Sequence, residues 1–179
     1  MLSAESAAGA YPVESVEMQQ RIINRVERDS RYKKQLDQNL PMPEPTPTDA
    51  ITLAARQVAN TINAKALVCF TLRGSTVMRA SKGRPSVPIL AITPFRATSR
   101  QLALSWGVYA AVTETENDEF DLVLRNACRA ALQKGLVTSP DDLLVVTAGL
   151  PFGTPGAANV IRVVPAAGPA CWDGVCRID

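Results

Sequence analysis

Between residues 48 and 165 the chain alternates two patterns. Short continuous apolar runs, ALVCFT (66–71), VPILAIT (87–93), GVYAAVT (107–113), DLLVVTAG (142–149) and NVIRVV (159–164), read as strands. Runs without polar alternation are what a sheet covered on both faces demands. Between them lie segments with helical spacing. AITLAARQVANTIN puts Ile51, Ala54, Ala55, Val58 and Ile62 on one face, with Thr48 or Asp49 as its cap. STVMRASKG and ATSRQLALSW are short helices, and FDLVLRNACRAALQKG ends at a glycine stop, Gly135. Helices alternating with apolar strands predict an α/β fold: a mostly parallel five-stranded sheet with helices on both faces. No internal repeat of fixed period is present.

The first 47 residues follow another rule. From Pro12 a helix is expected, with Val13, Val16, Ile22, Ile23 and Val26 at helical spacing. Such a helix is marginal in water without a surface to pack on. SRYKKQLDQNL is polar and weakly periodic. Pro41, Pro43, Pro45 and Pro47 then forbid a helix and favour an extended spacer. The expected division is 1–29 loop and helix, 30–47 linker, 48–165 α/β domain and 166–179 tail.

Composition narrows the chemistry. Nineteen Lys and Arg against 17 Asp and Glu give a formal charge of +2, which makes no case for nucleic acid or an anionic membrane as partner. There is no histidine, so Ser-His-Asp, Cys-His and His-zinc sites are excluded for this chain alone. Cys69 and Cys128 sit among apolar residues and read as buried thiols. Cys171 and Cys176 flank Gly174; a local disulfide or two free thiols fit, and a reducing cytoplasm favours thiols. No apolar run approaches a membrane span. The N-terminus lacks the basic and apolar regions of a secretory signal, so a cytoplasmic location is expected.

Two loops could hold a ligand. After the first strand, Thr71-Leu72-Arg73-Gly74-Ser75-Thr76 runs into a helix. Gly74 allows a tight turn, Ser75 and Thr76 offer hydroxyls and first-turn amides, and Arg73 supplies a charge for an anion. The plainer reading is an ordinary turn with Ser75 as N-cap. The second loop, Gly149 to Gly156, leaves the same edge of the sheet and carries three glycines and two prolines. A ligand cover and a plain strand connection both fit it. Asp141-Asp142 reads as a turn. The acidic residues Glu114, Glu116, Asp118 and Glu119 read as a helix start. Trp106 and Tyr109 read as core.

The order of segments resembles the C-terminal part of pyruvate kinase. MLSAESAAGAYPVESVE resembles the family's segment at the last strand of its catalytic barrel. TLRGST with KGRPSVPILAITP resembles its effector-loop helix and next strand. QLALSWGV and GTPGAANVIRVV resemble a helix-to-strand join and the closing strand. The resemblance implies that Ser3 and Glu5 lie at the rim of the barrel's active site. It implies that Thr71, Arg73, Gly74, Ser75 and Thr76 hold an effector phosphate, with Gly153 and Gly156 in the loop closing over it.

Arg73 stands where many members have Ser or Thr, exchanging a hydroxyl for a charged clamp. The chain lacks the Trp and Arg of bisphosphate-regulated members, so a sugar or nucleotide monophosphate suits it better than a bisphosphate. Pyruvate kinases move a phosphoryl group from phosphoenolpyruvate to ADP with Mg²⁺ and K⁺. The resemblance implies that the metal carboxylates, catalytic Lys and phosphate-binding Arg lie in barrel segments preceding Met1. On that reading the chain is a fragment or truncated product, binds no cofactor or metal itself and has no complete catalytic site. A homo-oligomer through strand 159–164 is implied. A free-standing phosphometabolite-binding domain and a purely structural oligomerisation module are the alternatives. The tail has no functional account.

Overall fold

The computed structural model describes residues 1–40, 42–113, 120–152 and 158–166. The chain divides into two compact units, Met1–Leu40 and Pro41–Asp179.

The first unit is helical: α1 (Ala4–Ala7), α2 (Pro12–Glu27) and α3 (Ser30–Gln38). Pro12 occupies the first turn of α2, where its missing N–H costs nothing. Helix α3 occupies the first half of the segment expected as a linker from residue 30. Its apolar members are only Tyr32 and Leu36, one turn apart on one face, too short a stripe to announce a helix. It is nonetheless rich in good helix formers, and Asp29 caps it by accepting the Arg31 backbone N–H at 2.9 Å. None of the three helices buries a residue.

The second unit opens with α4 (Pro47–Thr61). Its N-cap is Thr46, not Thr48 or Asp49, because Pro47 takes the first helical position. The Thr46 hydroxyl accepts the Asp49 N–H at 3.3 Å. Ala55 and Ala59 are fully buried while Ala54, expected on that face, is exposed. There follow β1 (Ala66–Phe70), α5 (Ser75–Lys82), β2 (Ile89–Thr93), α6 (Arg96–Leu102), β3 (Val108–Val112), α7 (Phe120–Gln133), β4 (Leu143–Ala148) and β5 (Val160–Pro165). The sheet order is β3-β2-β1-β4-β5. Its first four strands are parallel, and β5 closes the edge antiparallel to β4. The five-stranded, mostly parallel sheet is therefore as the apolar runs predict.

Strand alternation sorts side chains into two cores. Leu67, Cys69, Ile89, Ala91 and Val145 face α4, α5 and α6, meeting Ala59, Val77 and Leu102. Ala66, Val68, Leu90, Ile92 and Val146 face α7, meeting Leu124, Ala127 and Ala131. Burying each large side chain contributes about 1.5–3 kcal/mol. Cys69 lies wholly inside, and burial pushes its thiol up to about 11. Tyr109, expected in the core, is 47% exposed on edge strand β3. Among the described residues no helix is long and apolar enough to cross a membrane.

Candidate functional site

The connections define where a ligand fits. From β1 the chain passes through α5 to β2 and through α6 to β3, with both helices on one face. Helix α7, on the other face, then carries it back past β1 to β4. The chain therefore leaves β1 and arrives at β4 on opposite sides of the sheet. Such a reversal opens a crevice at the carboxyl ends of the two strands. The register Cys69↔Thr147 sets those ends side by side. The β1–α5 turn and the start of the β4–β5 loop thus rise from one edge.

In the turn, the Thr71 N–H donates to the Ile92 carbonyl at 3.0 Å, which ties the strand end down. The Thr71 hydroxyl accepts the Gly74 N–H at 2.8 Å. Gly74, not Ser75, is the N-cap of α5, with φ of +88°. A side chain there would be strained, and its Cβ would come within 3.2 Å of Leu102 Cδ2. Thr98 donates its hydroxyl to the Leu72 carbonyl at 3.0 Å. Thr71, Gly74 and Thr76 therefore build the turn, and Thr76 is buried. Arg73 and Ser75 are exposed, and Arg73 has no ion pair among the described residues.

The second loop is anchored at its base. Asn159 accepts the Leu150 N–H at 2.9 Å and donates its amide to the Leu150 carbonyl at 2.6 Å. The rings of Phe152 and Phe120 stack with centroids 6.2 Å apart. Gly153 and Gly156 lie outside the described residues, as do the acidic segment 114–119, Cys171 and Cys176. Ser3 and Glu5 belong to the Met1–Leu40 unit, where the Ser3 N–H donates to Glu5 at 2.9 Å. That bond holds the Glu5 carboxyl below its usual range. Asp142 accepts the N–H groups of Thr138 and Ser139 at 2.7 and 2.9 Å, a turn rather than half of a metal pair. Among the described residues no group of three or more His, Cys, Asp or Glu could hold a metal ion.

One feature is absent from the sequence expectations: an open cleft of about 490 Å³ between α5 and the α6–β3 connection. Arg73 stands at one end and Lys82, Arg84 and Trp106 line it further on. Trp106 is half-buried, and the Arg84 guanidinium lies over its ring at 4.6 Å. The one sequence signal is Trp106, expected in the core and found at the cleft wall. Lys82 and Trp106 are brought together by a crossover that no local spacing reveals.

The family described as "Pyruvate kinase, alpha/beta domain" has a sequence model that matches residues 49–164. A pyruvate kinase of Agrobacterium vitis is 44% identical over 166 residues, 93% of this chain and 35% of the relative. One from Methylorubrum extorquens is 40% identical over 163 residues, covering 91% and 34%. The crystal structure of a pyruvate kinase from Cryptosporidium parvum matches with a TM-score of 0.78 and 28% identity, over 93% of this chain and 32% of that one. The chain thus spans about a third of the length of these relatives.

Proposed function

This chain belongs to the pyruvate kinase family, as its C-terminal part, and from that premise we propose that it serves as a regulatory and oligomerising portion that grips a phosphorylated metabolite. The grip is the β1–α5 turn. One observation carries the reading: the turn stands at the sheet's reversal point with Arg73 and Ser75 exposed on it. The first-turn amides of α5 have no partner within the helix, and a helix N-terminus favours negative charge. With one charged clamp, the turn suits a monophosphate.

The family's phosphoryl transfer uses Mg²⁺ and K⁺ in the full-length enzymes. The described residues do not fit such a metal centre. We therefore assign no catalytic step to this chain and expect no turnover from it alone. A coupled lactate dehydrogenase assay with phosphoenolpyruvate, ADP, Mg²⁺ and K⁺ checks this, and turnover that follows the chain through purification contradicts it.

Association is assigned to β5. It is an edge strand, and Val163 on it is 43% exposed. An apolar edge either pairs or invites aggregation. Sedimentation should show at least a dimer, disrupted by Ile161→Pro. A monomer at high micromolar concentration rejects this assignment.

Calorimetric titration with glucose 6-phosphate and ribose 5-phosphate tests the grip. Loss of one charged donor in Arg73→Ala should weaken binding roughly ten- to a hundredfold. No heat at millimolar ligand, or binding indifferent to Arg73→Ala, overturns the reading.

A further inference from the structure

We propose that residues 42–46 form a releasable strap, latched by charge onto α5, which sets how much free chain leads into the α/β unit. The alternate prolines of this segment predict an extended spacer, and a spacer needs no anchor. The structure gives it one. The Glu44 backbone N–H donates to Asp49 Oδ2 at 2.7 Å. Arg79 Nη1 donates to the other Asp49 oxygen and to Glu44 Oε2, the latter at 3.1 Å. One guanidinium on α5 thus closes a ring through the side chain and the backbone of Glu44. The Thr46 N–H turns back on the Glu44 carbonyl at 2.7 Å, a three-residue turn around Pro45, whose fixed φ suits it.

The two sides of the latch differ in firmness. Asp49 stands in the first turn of α4, where Thr46 caps the helix, and its side chain is mostly covered. Arg79 stands on α5, whose Val77 and Ala80 are buried in the core. The strap has no such footing. Met42 is 93% exposed, and Pro43, Glu44 and Pro45 are exposed as well. None of these side chains enters either core. Burial of apolar surface therefore does not hold the strap; the bond from Glu44 to Asp49 and the pairs with Arg79 do. Ion pairs open to water are weak, and salt screens them further. A segment held this way opens locally while the sheet stays intact.

Opening has a geometric consequence. Latched, the chain is held from Glu44 onward. Released, it is held from the Thr46 cap, which adds about two residues, roughly 7 Å of reach, to the free chain. Loss or screening of the Arg79 charge is the release. The strap operates whether or not the β1–α5 turn holds a ligand.

Amide exchange followed by NMR in the full ¹⁵N-labelled chain tests the latch, with Met42 and Glu44 as reporters among the prolines. At low salt Glu44 should exchange about tenfold more slowly than Met42, after correction for intrinsic rates. Arg79→Met and 1 M NaCl should each remove most of that difference, and Arg79→Lys should keep part of it. Leu67, whose N–H donates to the Pro88 carbonyl at 2.9 Å, should stay protected throughout. Three results overturn the proposal. The first is Glu44 exchanging as fast as Met42 at low salt. The second is Glu44 protection indifferent to Arg79→Met or to salt. The third is Leu67 losing protection alongside Glu44, which makes Arg79 a support of the whole fold and not a latch.

Discussion

Helices α2 and α4 are close to the same length, 16 and 15 residues, and each begins with a proline in its first turn. Both carry apolar residues at helical spacing. Yet α2 buries nothing, while α4 buries Thr48, Thr52, Ala55, Arg56 and Ala59. The difference is the sheet beneath α4. It supplies Leu67, Cys69 and Val145, and small alanines let the helix approach closely. Apolar spacing announces a helix face; only tertiary structure decides whether that face becomes core.

The largest effect that separates the two regions is a cavity. Leu67 is fully buried in the center of the sheet. Leu67→Ala should cost about 2–5 kcal/mol in denaturant unfolding. Ile22→Ala, on a helix where Ile22 is 57% exposed, should cost within about 0.5 kcal/mol. Equal costs would mean that α2 is packed as firmly as β1.

Proteolysis sharpens the same contrast kinetically. Trypsin should cut first at Arg28, Arg31, Lys33 or Lys34, leaving a resistant piece that begins near α4. Mass spectrometry of the early fragments reads this directly. Early cuts at Arg56 or Arg79 would reverse the order of stability.

A smaller effect concerns the segment leading into α4. The Asp49 carboxylate accepts the Glu44 backbone N–H at 2.7 Å and pairs with Arg79, which also reaches Glu44 at 3.1 Å. The Glu44 N–H, and then Arg79, hold the Asp49 carboxyl below its ordinary 3.8. A depressed carboxyl stabilises the fold above its unfolded value, and that contribution is lost as pH falls through the folded one. Acid unfolding of Asp49→Asn should therefore show a shallower loss of stability below about pH 4 than wild type. An unchanged acid limb would mean that the pairing contributes nothing. Arg79→Ala at neutral pH should cost no more than about 1 kcal/mol, as for a partly exposed pair.

The strands were legible because burial on both faces leaves continuous apolar runs, and ALVCF and ILAIT are β1 and β2 to within two residues. Helix α3 was not, because the apolar members of SRYKKQLDQ are only Tyr32 and Leu36, one turn apart, and its start is marked by the Asp29 cap rather than by a long stripe. The β1–α5 turn was legible as a possible anion loop. That Thr71 and Gly74 are occupied in building it, leaving Arg73 and Ser75 outward, required coordinates. The Arg84–Trp106 pair is hidden in the sequence because its members stand on different connections, and Tyr109 is exposed rather than core because an edge strand looks apolar without being covered.

Amide chemical-shift mapping tests the central claim most directly, because it compares the two regions in one experiment. Glucose 6-phosphate titrated into the ¹⁵N-labelled chain should move the Arg73, Gly74, Ser75 and Thr76 amides most and leave α2 and α3 still. Saturating shifts confined to other residues, or no shifts at millimolar ligand, would contradict an effector phosphate at the β1–α5 turn.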